Sequence, residues 1–542
     1  MDGRPADRFL LVGGGIASLA AAAFLIRDGG VPGRHIRILE AADRPGGALV
    51  SGHAPGHPTL YVGAAVRGVD EREHACLWNL LGSVPTLADP SRTPLDEMRA
   101  AERRPRTALE ARLVDADHRV ARPDLRLGAA DRAALRGLLD RSDARLAETR
   151  IDQAVPAHLL AGDFWLLCTT VFRLRPASSA LDLKRALLLH LPDLRRLPVL
   201  PTVHRTRRSE YDSIVRPLYD WLRCEGVAFT FGTTVTDMPI ASEPGGGRRA
   251  TALTCSTRGR EHTIELGGRD RVLVTLGSMA ANASHGDDEN PPAFDATRRD
   301  PTWRLWESVA RHQPDLGRPE AFTSHVEDTA WLSFTLTTTT SDLTWFISHL
   351  TGDPDGGGGP VTFRDSPWLL TLTVPRQPHF TGQLPHTHTV LGYGMRLATP
   401  GAHTSATMLR ATGRQLLDET IGQLGLERRA LPVRMNTNVR SIMLPYAGSP
   451  LATRRPGDRP EQIPPGARNF AFLGQYVEIP GALAFSMEYS VRSAMRAVYA
   501  LLGIDRELPG ADELGADTGR AGDLDDALAT LATAGGPAPQ PR

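Results

Sequence analysis

Lysine is almost missing from this chain: of 62 Lys+Arg residues only Lys184 is a lysine. The bias toward arginine reads as genome composition rather than design. An excess of charge is missing too, since 62 basic residues meet 62 acidic ones. That balance leaves no global field to draw the chain onto nucleic acid or an anionic membrane. Cysteine is sparse. Cys76, Cys168, Cys224 and Cys255 lie far apart with no C-x-x-C pair, which argues against a disulfide framework or a zinc site and for reduced thiols in a cytosol. No apolar run reaches membrane-spanning length, and "MDGRPADR" passes directly into a strand, leaving no room for a secretory leader. No internal repeat is visible. The expectation is a cytoplasmic protein whose 542 residues suffice for two or three domains.

What the chain does have is a glycine cluster in a telling place. "FLLVGGGIASLAAAAFLIRDGGVPGRHIRILE" reads as a strand over 9–12, a helix over 16–27 with Gly29 as its C-terminal glycine, and a second strand over 36–40. Gly13 and Gly15 occupy the first two positions of G-x-G-x-x-G. One permits the tight turn, and the other lets backbone N–H groups approach a pyrophosphate at the helix N-terminus. Ser18 stands at the third position, small enough for close packing of helix on strand. Glu40 ends the second strand, where an acid accepts hydrogen bonds from ribose hydroxyls and opposes a 2′-phosphate. Arg44, Gly46 and Gly47, in "RPGG", add a second basic and glycine turn, which favours FAD over NAD.

Beyond "RPGG" the alternation of strand and helix stops. Residues 90–160 are Arg- and Leu-rich with helical period, and "FWLLCTTVFRL" and "ALDLKRALLLHL" continue in that manner. "EYDSIVRPLYDWLRCEG" reads as a helix leading into the strand "VAFTFGTTVTDM", and "RVLVTLGSM" as a buried strand entering a glycine turn. Thr-rich strands dominate 290–430, and "NFAFLGQYVEIPGALAFSMEYSVRSAMRAVYALLG" reads as strand, glycine turn and helix. The expected fold is α/β, a discontinuous Rossmann-like FAD-binding domain of the two-dinucleotide-binding type with an inserted helical and mixed α+β substrate domain. The expected boundaries put 1–60, 198–290 and 430–510 in the FAD domain, and 61–197 and 291–429 in the substrate domain. Residues 511–542, rich in Ala, Gly and Asp, are expected to be a disordered tail.

A run of motifs in order carries a more specific resemblance: "CLWNLLGSVPTL", "LDEM", "FWLLCTTVF", "EYDSIVRPL", "VTLGSM", "RQPHF", "GDRP", "NFAFLGQYVE" and "EYSVRSAMRAVY". Together they resemble the oleate hydratases, once called myosin-cross-reactive antigens. The resemblance implies an FAD protein that adds water to an isolated double bond of a long-chain unsaturated fatty acid, with no net flavin redox change. It implies a tyrosine as proton donor and a glutamate that orients the water. Tyr211 aligns with one of two tyrosines in the family's motif, and Arg208 replaces the other. For the acid, Val69 stands in register without a gap, and a shift of a residue or two brings in Asp70 or Glu71. Thr373 and His379 match the fatty-acid carboxylate site, where Pro375 replaces an asparagine and implies an altered or shifted head-group site. Gly277, Ser278 and Met279 match the turn near the isoalloxazine, and Gln475 and Glu478 the closing segment with flavin contacts. His386 and His388 form an H-x-H without a third ligand, so no metal is expected. The rival readings are a flavin oxidoreductase or double-bond isomerase on an apolar substrate, and a non-catalytic flavin- and lipid-binding protein. The association state is open between monomer and homodimer.

Overall fold

Phe9–Val12, FLLV, is buried along its whole length because it runs down the middle of a parallel sheet. The computed structural model, which describes residues 7–86, 89–101, 109–121, 123–190, 194, 199–200, 203–353, 356–510 and 529, orders that sheet as Ala228–Thr230, Ile36–Leu39, Phe9–Val12, Arg271–Thr275 and Phe470–Leu473. Every neighbouring pair is parallel. The sheet is therefore gathered from stretches far apart in the chain, each bringing a short apolar strand. The fold is α/β and consistent with the FAD-binding architecture expected. Apart from Ala529, the expected tail beyond Gly510 lies outside the described residues.

The helix Ile16–Arg27 buries every residue from Ile16 to Leu25. Its alanines let it lie between the sheet and the helix Met487–Leu502, with which it shares one core. Its end corrects the expected role of Gly29. The left-handed residue is Gly30, at φ 62°. Gly29 is small for another reason: a Cβ there would stand 2.3 Å from Leu502 Cδ1 and 2.8 Å from the Leu25 carbonyl oxygen.

The second sheet has eight strands, in the order Ser284–Gly286, Thr437–Leu444, Trp331–Thr338, His388–Gly394, Thr371–Thr373, Val361–Phe363, Arg112–Val114 and Val120–Ala121. Two expectations change here. Thr437–Leu444 belongs to this sheet although the expected boundary at 430 put it with the nucleotide half. The stretch 90–160 is not wholly helical, because Asp115 turns the chain into a hairpin by accepting from Asp117 N at 3.0 Å and Arg119 N at 2.9 Å. Trp331–Thr338 is buried on both faces. Leu332, Phe334 and Leu336 enter one core, and on the other face Thr335 Oγ1 accepts from Gly63 N at 3.1 Å.

Helices Asp163–Phe172 and Ala180–Leu189 cover this second face with an apolar layer. Two of its buried cations are paired. Arg454 Nη1 donates to Asp182 at 2.8 Å, and Lys184 Nζ donates to the Arg141 carbonyl at 3.0 Å beside Asp143 at 3.1 Å. Among the described residues no helix is long and apolar enough to cross a membrane.

Candidate active site

A cavity of about 490 Å³ runs from the glycine turns at the C-terminal ends of the parallel strands to the helical layer and second sheet. Of the residues singled out in the sequence, Gly13, Gly15, Glu40, Gly46, Gly47, Asp70, Gly277, Ser278, Met279, Thr373 and Gln475 line it. Ser18, Arg44, Glu71, Tyr211, His379 and Glu478 are not part of its wall.

The nucleotide end is built from two interlocked turns. Gly13, at φ 91°, donates to the Leu39 carbonyl at 2.8 Å, and Gly46 donates to the Gly14 carbonyl at 2.9 Å. Gly15 opens into free space, since a Cβ there meets no atom within 4 Å. The N-terminus of Ile16–Arg27 thus faces the cavity with no acidic residue in its first turn, a place suited to a pyrophosphate. Glu40 accepts from Gly14 N, and from Ala42 N at 2.7 Å. Burial pushes its carboxyl above the ordinary range, against the pull of those backbone donors. Ser18 explains its departure from glycine: it is buried, and its hydroxyl lies 3.1 Å from Thr275 Oγ1 on the neighbouring strand.

The far wall of this end is the turn after Arg271–Thr275. Gly277 adopts φ 59°, and a Cβ on it would stand 2.7 Å from Trp303 Cζ3 and 3.0 Å from Tyr476 Cδ2. Gln475 pins the closing loop. Its amide donates to Ser486 O at 2.7 Å and Ser490 Oγ at 2.8 Å, while its oxygen accepts from Phe485 N at 2.6 Å. Glu478, expected at the flavin, is drawn instead to Arg185 at 3.2 Å.

The expected catalytic residues are dispersed. Tyr211 packs its ring against Gly46, 3.2 Å from where a Cβ would be, under the Arg44 guanidinium at 5.6 Å. Burial raises its phenol. In this arrangement Arg44 and Tyr211 support the second turn from behind. Glu71 is on the surface, 3.7 Å from Arg99. Asp70 lines the cavity, but its Oδ1 accepts from Arg72 N at 2.8 Å and Glu73 N at 3.1 Å, so it organises the turn. His379 is buried against Phe380, and desolvation, with repulsion from Arg205, holds its pKa down to about 3. It is therefore a neutral imidazole.

Residues the sequence reading missed stand in the wall. Glu73 and His190 line the cavity and meet at 2.7 Å between Oε1 and Nδ1, with Phe172 stacked on the imidazole at 4.6 Å. Arg67, Arg173 and Arg205 also line it. Beside them Glu210 is buried, accepts from Arg67 N, and is raised by desolvation. For Arg205 and Glu210 the sequence signal was the density of charge in "VHRTRRSEY". Among the described residues no three His, Cys, Asp or Glu side chains converge as a metal group.

The family profile of the MCRA family matches residues 7–499. The chain belongs to the MCRA family. An oleate hydratase of Streptococcus pyogenes serotype M49 (strain NZ131) is 29% identical over 92% of this chain and 86% of its own length. A linoleate hydratase of Lactiplantibacillus plantarum is 27% identical over 92% of this chain and 94% of its own. In fold, this MCRA-family chain is similar to cyclohexylamine oxidase from Brevibacterium oxydans IH-35A, at TM-score 0.54 and 13% identity over 92% of this chain and 99% of that one. A redesigned putrescine oxidase gives TM-score 0.50 at 12% identity, over 92% and 100%. The cofactor that accompanies this family is FAD, and the residues present fit it. The paired glycine turns leave backbone N–H groups facing the cavity, and Glu40 stands at the adjacent strand end.

Proposed function

We propose that this MCRA-family protein binds FAD and adds water to an isolated carbon–carbon double bond of an unsaturated fatty acid, giving a hydroxy fatty acid. The observation that carries the reading is the continuity of one cavity from the glycine turns to an apolar wall that includes Phe172, Leu444, Leu483 and Phe485. An unactivated alkene needs a proton at one carbon and an oriented, partly deprotonated water at the other, in a site dry enough to prevent proton leakage. Gly13, Gly15 and Glu40 hold the nucleotide, and Gly277, Ser278, Met279 and Gln475 the region of its ring. Bound FAD shapes the site, since hydration involves no net change in oxidation state.

For acid–base work the Glu73–His190 pair is the best placed among the described residues. Both groups line the cavity and touch each other, whereas Asp70 is engaged by backbone amides and Glu71 faces away. Glu73 orients the water and takes its proton, and His190 exchanges that proton with Glu73. Tyr211 is the proton donor that the family resemblance implies, and the proton that Glu73 takes from water returns to its phenolate.

The test is to incubate FAD-loaded protein with oleic and linoleic acids in ¹⁸O-water and weigh the products. Gain of one labelled water supports hydration. Loss of hydrogen supports the oxidoreductase reading, and unchanged mass supports a flavin- and lipid-binding protein without turnover.

A further inference from the structure

The helix Asp163–Phe172 ends on Arg173 in the left-handed conformation, φ 62° and ψ 20°. A non-glycine residue is rare there. The guanidinium lies over the Tyr393 ring at 4.4 Å and the Trp331 ring at 5.5 Å, and it lines the cavity. Its Nη1 is buried without a hydrogen-bond partner, and so are Trp331 Nε1, the Tyr393 hydroxyl and Ser333 Oγ. These groups belong together. Ser333 and Tyr393 are cross-strand partners, and the Trp331 and Tyr393 rings are 5.0 Å apart.

Such a cluster is rich in donors and short of acceptors. Among the described residues no carboxylate forms an ion pair with Arg173, and the charged neighbour that acts on it is Arg67, a like charge. Desolvation, with that repulsion, lowers its pKa to about 9, so it stays charged at neutral pH. A buried cation without a counter-ion is costly, whereas the buried Arg454 is paired with Asp182. Aromatic faces compensate in part. What the geometry lacks is an anion.

We infer that Arg173 receives the carboxylate head group of the apolar substrate, with Trp331 Nε1 and the Tyr393 hydroxyl as flanking donors. The inference rests on the fatty-acid reading above and deepens it. A carboxylate supplies two acceptor oxygens that match the guanidinium fork. The cavity wall nearby, from Phe172, Leu444, Ala447, Leu483 and Phe485, is apolar and suits a hydrocarbon chain. The assignment also accommodates Pro375 and the neutral, enclosed His379, because it moves the head group from the loop at 375–379 to the end of a helix. Thr373, which lines the same cavity, stays within the wall.

Binding of oleic acid, methyl oleate and oleyl alcohol to FAD-loaded protein by calorimetry tests this. The wild type should prefer the acid at least tenfold over ester and alcohol. Arg173→Met should bring the acid down to the level of the ester while ester affinity and FAD occupancy stay unchanged, and Arg173→Lys should fall between. The ligand-free Arg173→Met protein should melt no lower than the wild type, since an uncompensated cation has gone; a purely structural arginine would lower it. An intact acid preference in Arg173→Met, a wild type that does not prefer the acid, loss of FAD from the variant, or a variant that fails to fold would each overturn the assignment. Binding is read without turnover. A protein that prefers the acid through Arg173 and forms no hydroxy acid would therefore overturn the hydratase reading alone.

Discussion

Glu73 and His190 meet from the start of one helix and the end of another, and their contact makes an acid–base assignment testable at single residues. Glu73→Gln keeps the shape and removes the base, so turnover should fall about a hundredfold with little change in KM. Tyr211→Phe should lower turnover by a similar factor, since it removes the proton donor. Unchanged turnover in that variant would move the donor elsewhere and leave Tyr211 as the support of the RPGG turn. Glu40 gives a second residue-scale prediction. Burial raises its pKa above 4.5, and the charged form is the one that accepts ribose hydrogen bonds. FAD affinity should therefore decline as pH drops, starting above the pH at which a free glutamate titrates. In Glu40→Gln that acid sensitivity should vanish, and at neutral pH the variant should bind FAD more weakly by roughly 1.5–3 kcal/mol; equilibrium flavin titrations at several pH values decide it. Gly13, Gly15 and Glu40 were legible in the sequence because strand, turn, helix and strand fix their relative places locally. Glu73, His190 and Arg173 were not, because their meeting depends on how distant segments pack.

At the scale of elements, the sequence located the short apolar strands of the parallel sheet and the two helices beside it, since each is bounded by a glycine turn. It failed where the cause was tertiary. Gly29 had the look of a helix terminator, yet its size is set by Leu502 on another helix. The strands at 112–121 are too short to show a period, and only the neighbouring Val361–Phe363 makes them a sheet edge. Gly277 is the element-scale test. Alanine there meets both a left-handed backbone and the fully buried Trp303 ring at 2.7 Å, which should cost roughly 2 kcal/mol or more. Denaturant melts of Gly277→Ala should show that loss together with weakened flavin retention. A variant as stable as the wild type would mean that the turn yields easily.

At the scale of the whole molecule, five strands from four separate stretches of the chain close one sheet, and the loop that follows Thr371–Thr373 of the second sheet buries His379. His379 links that packing to pH. Its folded pKa of about 3 lies below the ordinary 6.5, so the unfolded chain takes up a proton that the native protein refuses. Stability is unaffected above pH 6.5 and declines from there toward pH 3. His379→Gln should remove that part of the decline, as read from unfolding free energies across this range. An unchanged slope would place the acid sensitivity in other groups.

The near absence of lysine leaves this protein with a built-in reporter. Lys184 is buried in the helical layer, with its Nζ between the Arg141 carbonyl and Asp143. An amine-reactive ester applied to the native protein should spare Lys184. Acylation at that side chain would then time the opening of the layer that walls the cavity. Followed by mass spectrometry with and without oleic acid, the labelling rate would show whether ligand entry requires this layer to breathe. Prompt modification of Lys184 in the native state would show that the layer is already open.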